Sequence, residues 1–344
     1  MGAYALRRLL GIVPVLLVIF TLSFVLMRAA PGGPFDAEKP VPAEVKRNLE
    51  LKYHLREPWC EARFLPALAR PDLQPAAEKA LRAENAWASR GERLCTGVFQ
   101  YGWLLANYAT GDFGPSYKYK DRSVNEFIAA GLPVTIQLGL VAMVFALIIG
   151  LAAGLVAAMR HNAWEDHAAM GAALLGISIP NFVLGPVLIL VFSLTLFWLP
   201  PARWDGWQYM ILPGFTLGSV YAAYIARLTR GGMLEVIRQD YVRTARAKGL
   251  KERVVILRHA LRGGMLPVIS YLGPALAGLF TGSIVIERIF NIPGMGRYFV
   301  DAALNRDITL AMAVVVVDAI FLLVANLLVD LALGLLDPRV RYDA

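Results

Sequence analysis

The sequence predicts an all-α polytopic membrane protein with six membrane-spanning helices. Three observations carry that prediction. Hydrophobic residues make up 57% of the 344 and charged ones only 17%, against about a quarter charged in a soluble domain. Six apolar windows run Leu9–Met27, Leu132–Met159, Ala168–Ala202, Tyr209–Ala226, Gly263–Ile286 and Ile308–Leu336, against a bilayer crossing of roughly twenty residues. Lys and Arg gather in alternate connections, which fall on one side of the membrane when all six windows cross it.

Taken in order, the first window follows Arg7 and Arg8 and continues to Met27. A secretory signal has an apolar core of only about 7–15 residues, so an uncleaved helix over residues 1–29 is expected. Residues 30–130 are polar, Ala- and Pro-rich and bear both signs of charge, as an external segment does; long segments translocate regardless of charge. Within it Val45–Tyr53 and Pro75–Arg90 read as helices, and Phe99–Tyr108 is apolar enough to lie on the bilayer or pack on the spans. The only cysteines, Cys60 and Cys95, both fall here. On an oxidising face they point to a disulfide, the alternative being two separate thiols. If formed, the bridge contributes about 3–4 kcal/mol in the chain-entropy model.

The membrane core is expected over 131–336. Its third window exceeds one crossing, and Pro180 and Pro186 are placed to kink it or end it early. Gly150/Gly154, Gly214/Gly218 and Gly278/Gly282 put small residues four apart, which permits close helix packing. Asp318 lies well inside the sixth window, with Asn326 and Asp330 further along; intramembrane acids are rare and have a partner or a function.

The connection over 227–262 carries Arg227, Arg230, Arg238, Arg243, Arg246, Lys248, Lys251, Arg253, Arg258 and Arg262 against Glu235, Asp240 and Glu252. Any polytopic protein has basic cytoplasmic loops, so charge alone assigns no role. No aromatic readers accompany it, which speaks against nucleic acid as a partner. The residue order says more. Tyr241, Thr244 or Ala245, and Lys248 fall on one face of a helix that Gly249 would end. Ala245 and Ala247 are small enough for another backbone to approach. A second helix over Lys251–Arg262, closed by Gly263-Gly264 before Pro267, makes the segment a rigid elbow. Both termini, the elbow and the tail 337–344 are expected on the cytoplasmic side.

Asp240-Tyr-Val-Arg-Thr-Ala-Arg-Ala-Lys-Gly-Leu250 resembles the loop by which ABC importer permeases of the dipeptide/oligopeptide branch engage their ATPase. The broader superfamily has Glu-Ala-Ala before that glycine; the peptide branch commonly carries the variant seen here. The resemblance extends along the chain through Leu6-Arg-Arg8, Arg28-Ala-Ala-Pro-Gly-Gly-Pro-Phe35, Lys52-Tyr-His-Leu-Arg-Glu-Pro58, Gly111-Asp-Phe-Gly-Pro-Ser-Tyr-Lys-Tyr-Lys120, Ile177-Ser-Ile-Pro-Asn-Phe182, Ala226-Arg-Leu-Thr-Arg230, Ile292-Pro-Gly-Met-Gly296 and Leu336-Asp-Pro-Arg-Val-Arg-Tyr342. It is closest to the B-type oligopeptide permease. The segment near 59–97 is longer than that pattern, and Asp318 matches no motif in it.

The resemblance implies a type-1 ABC importer permease fold in the bacterial inner membrane, serving as half of an oligopeptide pathway. A second permease, two ABC ATPase subunits holding ATP and Mg, and an external substrate-binding protein would complete it. Tyr241, Arg243, Thr244, Ala245, Arg246, Lys248 and Gly249 would then form the docking loop. Asp318 either meets a peptide's amino group in the pathway or is satisfied by a polar neighbour. Dipeptides, nickel or another small solute are alternative cargoes, and an ion-coupled secondary transporter is the rival class. No G-x-x-x-x-G-K-S/T phosphate loop occurs, His54, His161, His167 and His259 lack metal-ligand spacing, and no nucleophile–base pair stands out. No catalytic residue or cofactor is therefore expected in this chain.

Overall fold

A computed structural model of the chain describes residues 2–29, 43–64, 86–119 and 122–336. The tail 337–344, most of the expected helix Pro75–Arg90 and residues 65–85 of the lengthened segment lie outside them. The described elements are helical: α1 (Gly2–Ala29), α2 (Ala43–Lys52), α3 (Pro58–Phe64), α4 (Ala86–Ala109), α5 (Val124–Met159), α6 (Trp164–Ser178), α7 (Asn181–Leu188), α8 (Trp207–Ile237), α9 (Asp240–Ala247), α10 (Glu252–Val254), α11 (Leu261–Gly264), α12 (Leu266–Ile289), α13 (Met295–Asn305) and α14 (Ile308–Leu336). Wider π-type turns, Ile189–Thr195 and Val255–Ala260, continue α7 and α10.

Among the described residues, α1, α5, α8, α12 and α14 are each long and apolar enough to cross a membrane. The third apolar window is a bent pair, turning by 104° between α6 and the α7 segment. The break falls at Pro180, which has no N–H to continue the ladder and forces Ile179 into extended backbone (ψ 115). Pro186, by contrast, sits inside α7.

The chain forms two compact units. The first comprises Met1–Ile19, Ile128–Val300 and Val314–Ala344. Its interior includes Leu138, Ala142, Leu217, Ala275, Leu279 and Phe290, drawn from α5, α8, α12 and the residue after α12. The small residues decide how α5 and α8 meet. A Cβ on Gly150 would stand 2.7 Å from the Ala222 carbonyl, and one on Gly154 or Gly218 would collide with the carbonyl of Ala226 or Ala142. Backbone therefore lies on backbone at three successive turns of α8, at Gly218, Ala222 and Ala226. Dispersion and close approach hold membrane helices together, because lipid tails are as apolar as leucine. Gly278 instead accommodates the Tyr221 hydroxyl, while Gly282 has only ordinary contacts.

The second unit comprises Phe20–Phe127 and Asp301–Ala313. The apolar stretch Phe99–Tyr108 is the latter part of the longer helix α4. Cys60 and Cys95 are disulfide-bonded, joining α3 to α4. Beside the bridge, Arg56 Nε is 2.8 Å from Glu61 Oε1, and both side chains are nearly inaccessible. Asp307 accepts from the Tyr117 N–H (3.2 Å), the Thr309 hydroxyl (2.9 Å) and the Leu310 N–H (3.3 Å), and pairs with the Ser116 hydroxyl. One carboxylate thus caps α14 and anchors the Gly111–Tyr119 loop. At the start of α5, Ser123 and Glu126 exchange N–H···O bonds as a capping box.

Candidate coupling elbow and intramembrane carboxylates

The apolar window of the fourth span stops at Ala226, yet α8 continues to Ile237, 31 residues in all. At 1.5 Å per residue that is about 46 Å, longer than the bilayer core. The extension carries Met233 and Val236 out to the elbow. There they pack with Ala158 from α5, Val242 and Ala245 from α9, and Val255, Ile256 and Ala260. The elbow is therefore bolted through its own apolar core to a helix that crosses the membrane. Gly232 and Gly264 allow the two segments to touch, since a Cβ on Gly232 would collide with the Gly264 carbonyl. The second elbow helix ends at the second glycine of the expected Gly263-Gly264 pair, with the break at Met265.

The expected docking residues divide between two faces. Tyr241, Arg243, Thr244, Arg246, Lys248 and Gly249 are exposed. Ala245 is a correction. It is buried at 5% in the elbow's core, with Val242 fully buried beside it, so its small size serves internal packing. The outward helical face is Tyr241, Thr244 and Lys248, at the i, i+3, i+7 positions. Gly249 has φ +75, the left-handed conformation that closes a helix with least strain in glycine. Across this turn Arg246 holds Glu252 with two N–H···O bonds of 3.1 and 2.8 Å. That fork keeps the Glu252 carboxyl below its ordinary range and raises Arg246.

A second polar clamp joins α6 to α8. Arg230 donates from Nε and Nη2 to the two Asp166 oxygens at 2.7 and 2.8 Å, and Asp166 also accepts the Asn162 N–H at 3.0 Å. Bidentate geometry fixes register as well as distance. The Ala226–Arg230 motif thus contributes a small residue for α5 and a guanidinium for α6.

Sequence reasoning overlooked Glu287, whose charge ended the fifth apolar window. It is fully buried. Its carboxylate accepts from the Thr135 and Ser283 hydroxyls at 2.8 and 2.9 Å and from the Arg297 N–H at 3.1 Å, with the Gly296 N–H also bonded. Any Cβ on Gly294 would collide with this carboxylate. The Ile292–Gly296 motif is therefore a bare backbone cradle for the chain's own acid at the start of α13. A glutamate at the end of an apolar window, followed by Pro-Gly-x-Gly, was the available signal.

Asp318 and Asn326 are not brought together. Asn326 lines a crevice of about 510 Å³ with Arg7, Ser270 and Pro274, where Arg8 and Asp330 form an ion pair of 3.0 Å. Asp318 is half-buried and, among the described residues, has no hydrogen bond or ion pair. Glu287 is near enough for its charge to act on it.

The chain is similar along its length to known proteins. Residues 150–342 match the family described as binding-protein-dependent transport system inner membrane component. The oligopeptide transport system permease proteins of Haemophilus influenzae and Escherichia coli strain K12 are each 42% identical over 98% of this chain and 99% of their own length. A dipeptide transport system permease protein of Bacillus subtilis is also 42% identical, over 99% of this chain and 98% of its own. A solved structure of the MetNI methionine ABC transporter in an inward-facing conformation has TM-score 0.54 at 17% identity, covering 61% of this chain and 96% of that one. That likeness shows the fold alone.

Proposed function

Starting from the binding-protein-dependent transport system inner membrane component family, to which this chain belongs, we propose that it is the oligopeptide permease of an ATP-driven importer, forming half of the pathway. The observation that carries this reading is 42% identity to oligopeptide permeases over nearly the whole length of both partners. The equally identical dipeptide permease keeps shorter peptides as a second cargo.

Family membership brings an ATPase and a substrate-binding protein as partners. Two ATPase subunits and a second permease are the finer assembly we infer. The basic elbow faces the cytoplasm with both termini, and the disulfide-bearing segment faces outward, as the distribution of Lys and Arg supports. Tyr241, Thr244 and Lys248 meet the ATPase, with Arg243, Arg246 and Gly249 around them. The elbow core shared by α9, α8 and α5 supports a lever role: a displacement of α9 moves α8, which continues through the membrane. ATP binding then turns the pathway outward, and hydrolysis resets it.

Reconstitution tests this reading. The complete importer in liposomes takes up a labelled oligopeptide with ATP, and Lys248→Glu uncouples hydrolysis from uptake while leaving the buried Val242 and Ala245 undisturbed. Uptake driven by a proton or sodium gradient without the ATPase would refute the proposal.

A further inference from the structure

Helix α4 runs antiparallel along the end of α1, and its contacts report its depth. Phe20 meets Tyr108 and Tyr101 edge-on at 5.2 and 5.4 Å, and Thr21 lies 2.8 Å from the Tyr101 hydroxyl. Closer to the end of α1, Arg28 donates to the Gln100 side chain and, at 3.1 Å, to the Arg93 carbonyl. Phe20 precedes Ala29, the last residue of α1, by nine positions, about 13 Å along the helix axis. Half of a hydrocarbon core is about 15 Å. The part of α4 beside Phe20 therefore lies at lipid-tail depth, and Arg28 and Arg93 lie at headgroup level.

Between the two helices opens a groove of about 510 Å³ whose walls include Phe24, Val25, Leu94, Val98 and Tyr101. Leu94 and Val98 are 71% and 72% exposed, a surface that water would disfavour and acyl chains would cover. Gly97 lets the Arg28 guanidinium lie close over α4 at the lip of the groove, since a Cβ there would stand 3.2 Å from Arg28 Nε. Among the described residues Arg93 donates only from Nε and Nη2, both to Ser89, which leaves its other terminal nitrogen for a ligand. An apolar slot with a cationic lip at this depth has the chemistry of one lipid molecule. We propose that the groove holds a single anionic glycerophospholipid, one acyl chain along Val25 and Val98 and its phosphate between Arg28 and Arg93. The site rests on the chain being a membrane permease and is independent of its cargo and of which leaflet the groove faces.

Native mass spectrometry of the intact importer tests this. The complex is stripped with detergent, and phosphatidylglycerol or phosphatidylcholine is added back. The wild type retains phosphatidylglycerol preferentially, and Arg93→Gln lowers that preference about five-fold. Val25→Trp, which fills the groove from an exposed position, removes the bound lipid while the disulfide and the complex persist. Equal retention of both lipids by the wild type overturns the proposal, as does unchanged retention in Val25→Trp. A photocrosslinker at Leu94 that captures a protein chain in place of lipid has the same consequence. Absence of the chain from the membrane fraction would instead strike at the permease reading.

Discussion

Glu287 gathers two hydroxyls and two backbone N–H groups around one buried carboxylate, so its removal strands several donors at once. Each buried donor left without a partner costs about 1–3 kcal/mol. Glu287→Ala should therefore lower the thermal midpoint of the purified complex far more than Glu287→Gln, which retains an acceptor oxygen. A variant pair with equal midpoints would remove the cradle from the account. Asp318 poses the opposite case, an acid that no described group bonds. A mid-membrane acid without an internal partner is a candidate for a substrate's charge. Asp318→Asn is expected to reduce uptake of peptides with a free amino terminus by about ten-fold, as loss of a charged hydrogen bond would. Uptake of N-acetylated peptides should be unchanged. Equal effects on both would assign Asp318 to structure.

At the scale of elements, helix packing is decided by a few missing methyl groups. Gly154 and Gly218 lie against carbonyls of the facing helix, whereas a Cβ on Gly282 would make only ordinary contacts, 3.5 Å from a Leu217 methyl and 4.0 Å from the Tyr221 hydroxyl. Gly154→Leu should prevent assembly, because neither backbone can retreat from a packed interface. Gly282→Ala should leave expression and thermal stability nearly unchanged. Fluorescence-detected size exclusion of the two variants distinguishes them, and comparable monodisperse yields would contradict the packing scheme. The elbow follows the same logic in a different solvent. Val242 and Ala245 face inward on a segment whose other residues, Ala247 apart, carry polar groups, so packing orients α9 and presents Tyr241, Thr244 and Lys248 outward.

For the whole molecule, sidedness is the property on which the proposed coupling depends. Because Cys60 and Cys95 are paired, a single introduced thiol can be read without interference. Lys248→Cys should react with a membrane-impermeant maleimide only after cells are opened, while Lys118→Cys, at an exposed position of the Gly111–Tyr119 loop, should react in intact cells after outer-membrane permeabilisation. The reverse pattern would invert the topology and detach the elbow from a cytoplasmic ATPase.

The sequence by itself determined the membrane class, the six apolar windows, the basic elbow and the break near Pro180. Those features follow from the solvent each segment prefers and from backbone rules that act over a few residues. It also marked three glycine pairs, Gly150/Gly154, Gly214/Gly218 and Gly278/Gly282, as permitting close helix packing, without their partners. Tertiary structure alone decided that α8 outruns its apolar window, since Arg227 and Arg230 look like a membrane boundary until Asp166 claims Arg230 and Met233 claims the elbow. It likewise turned Ala245 inward and carried Glu287 to a glycine cradle several residues ahead in the chain. For Arg230, Met233 and Ala245 the deciding contact comes from a group that no local pattern specifies, and a small or charged residue has no fixed role until its neighbours arrive.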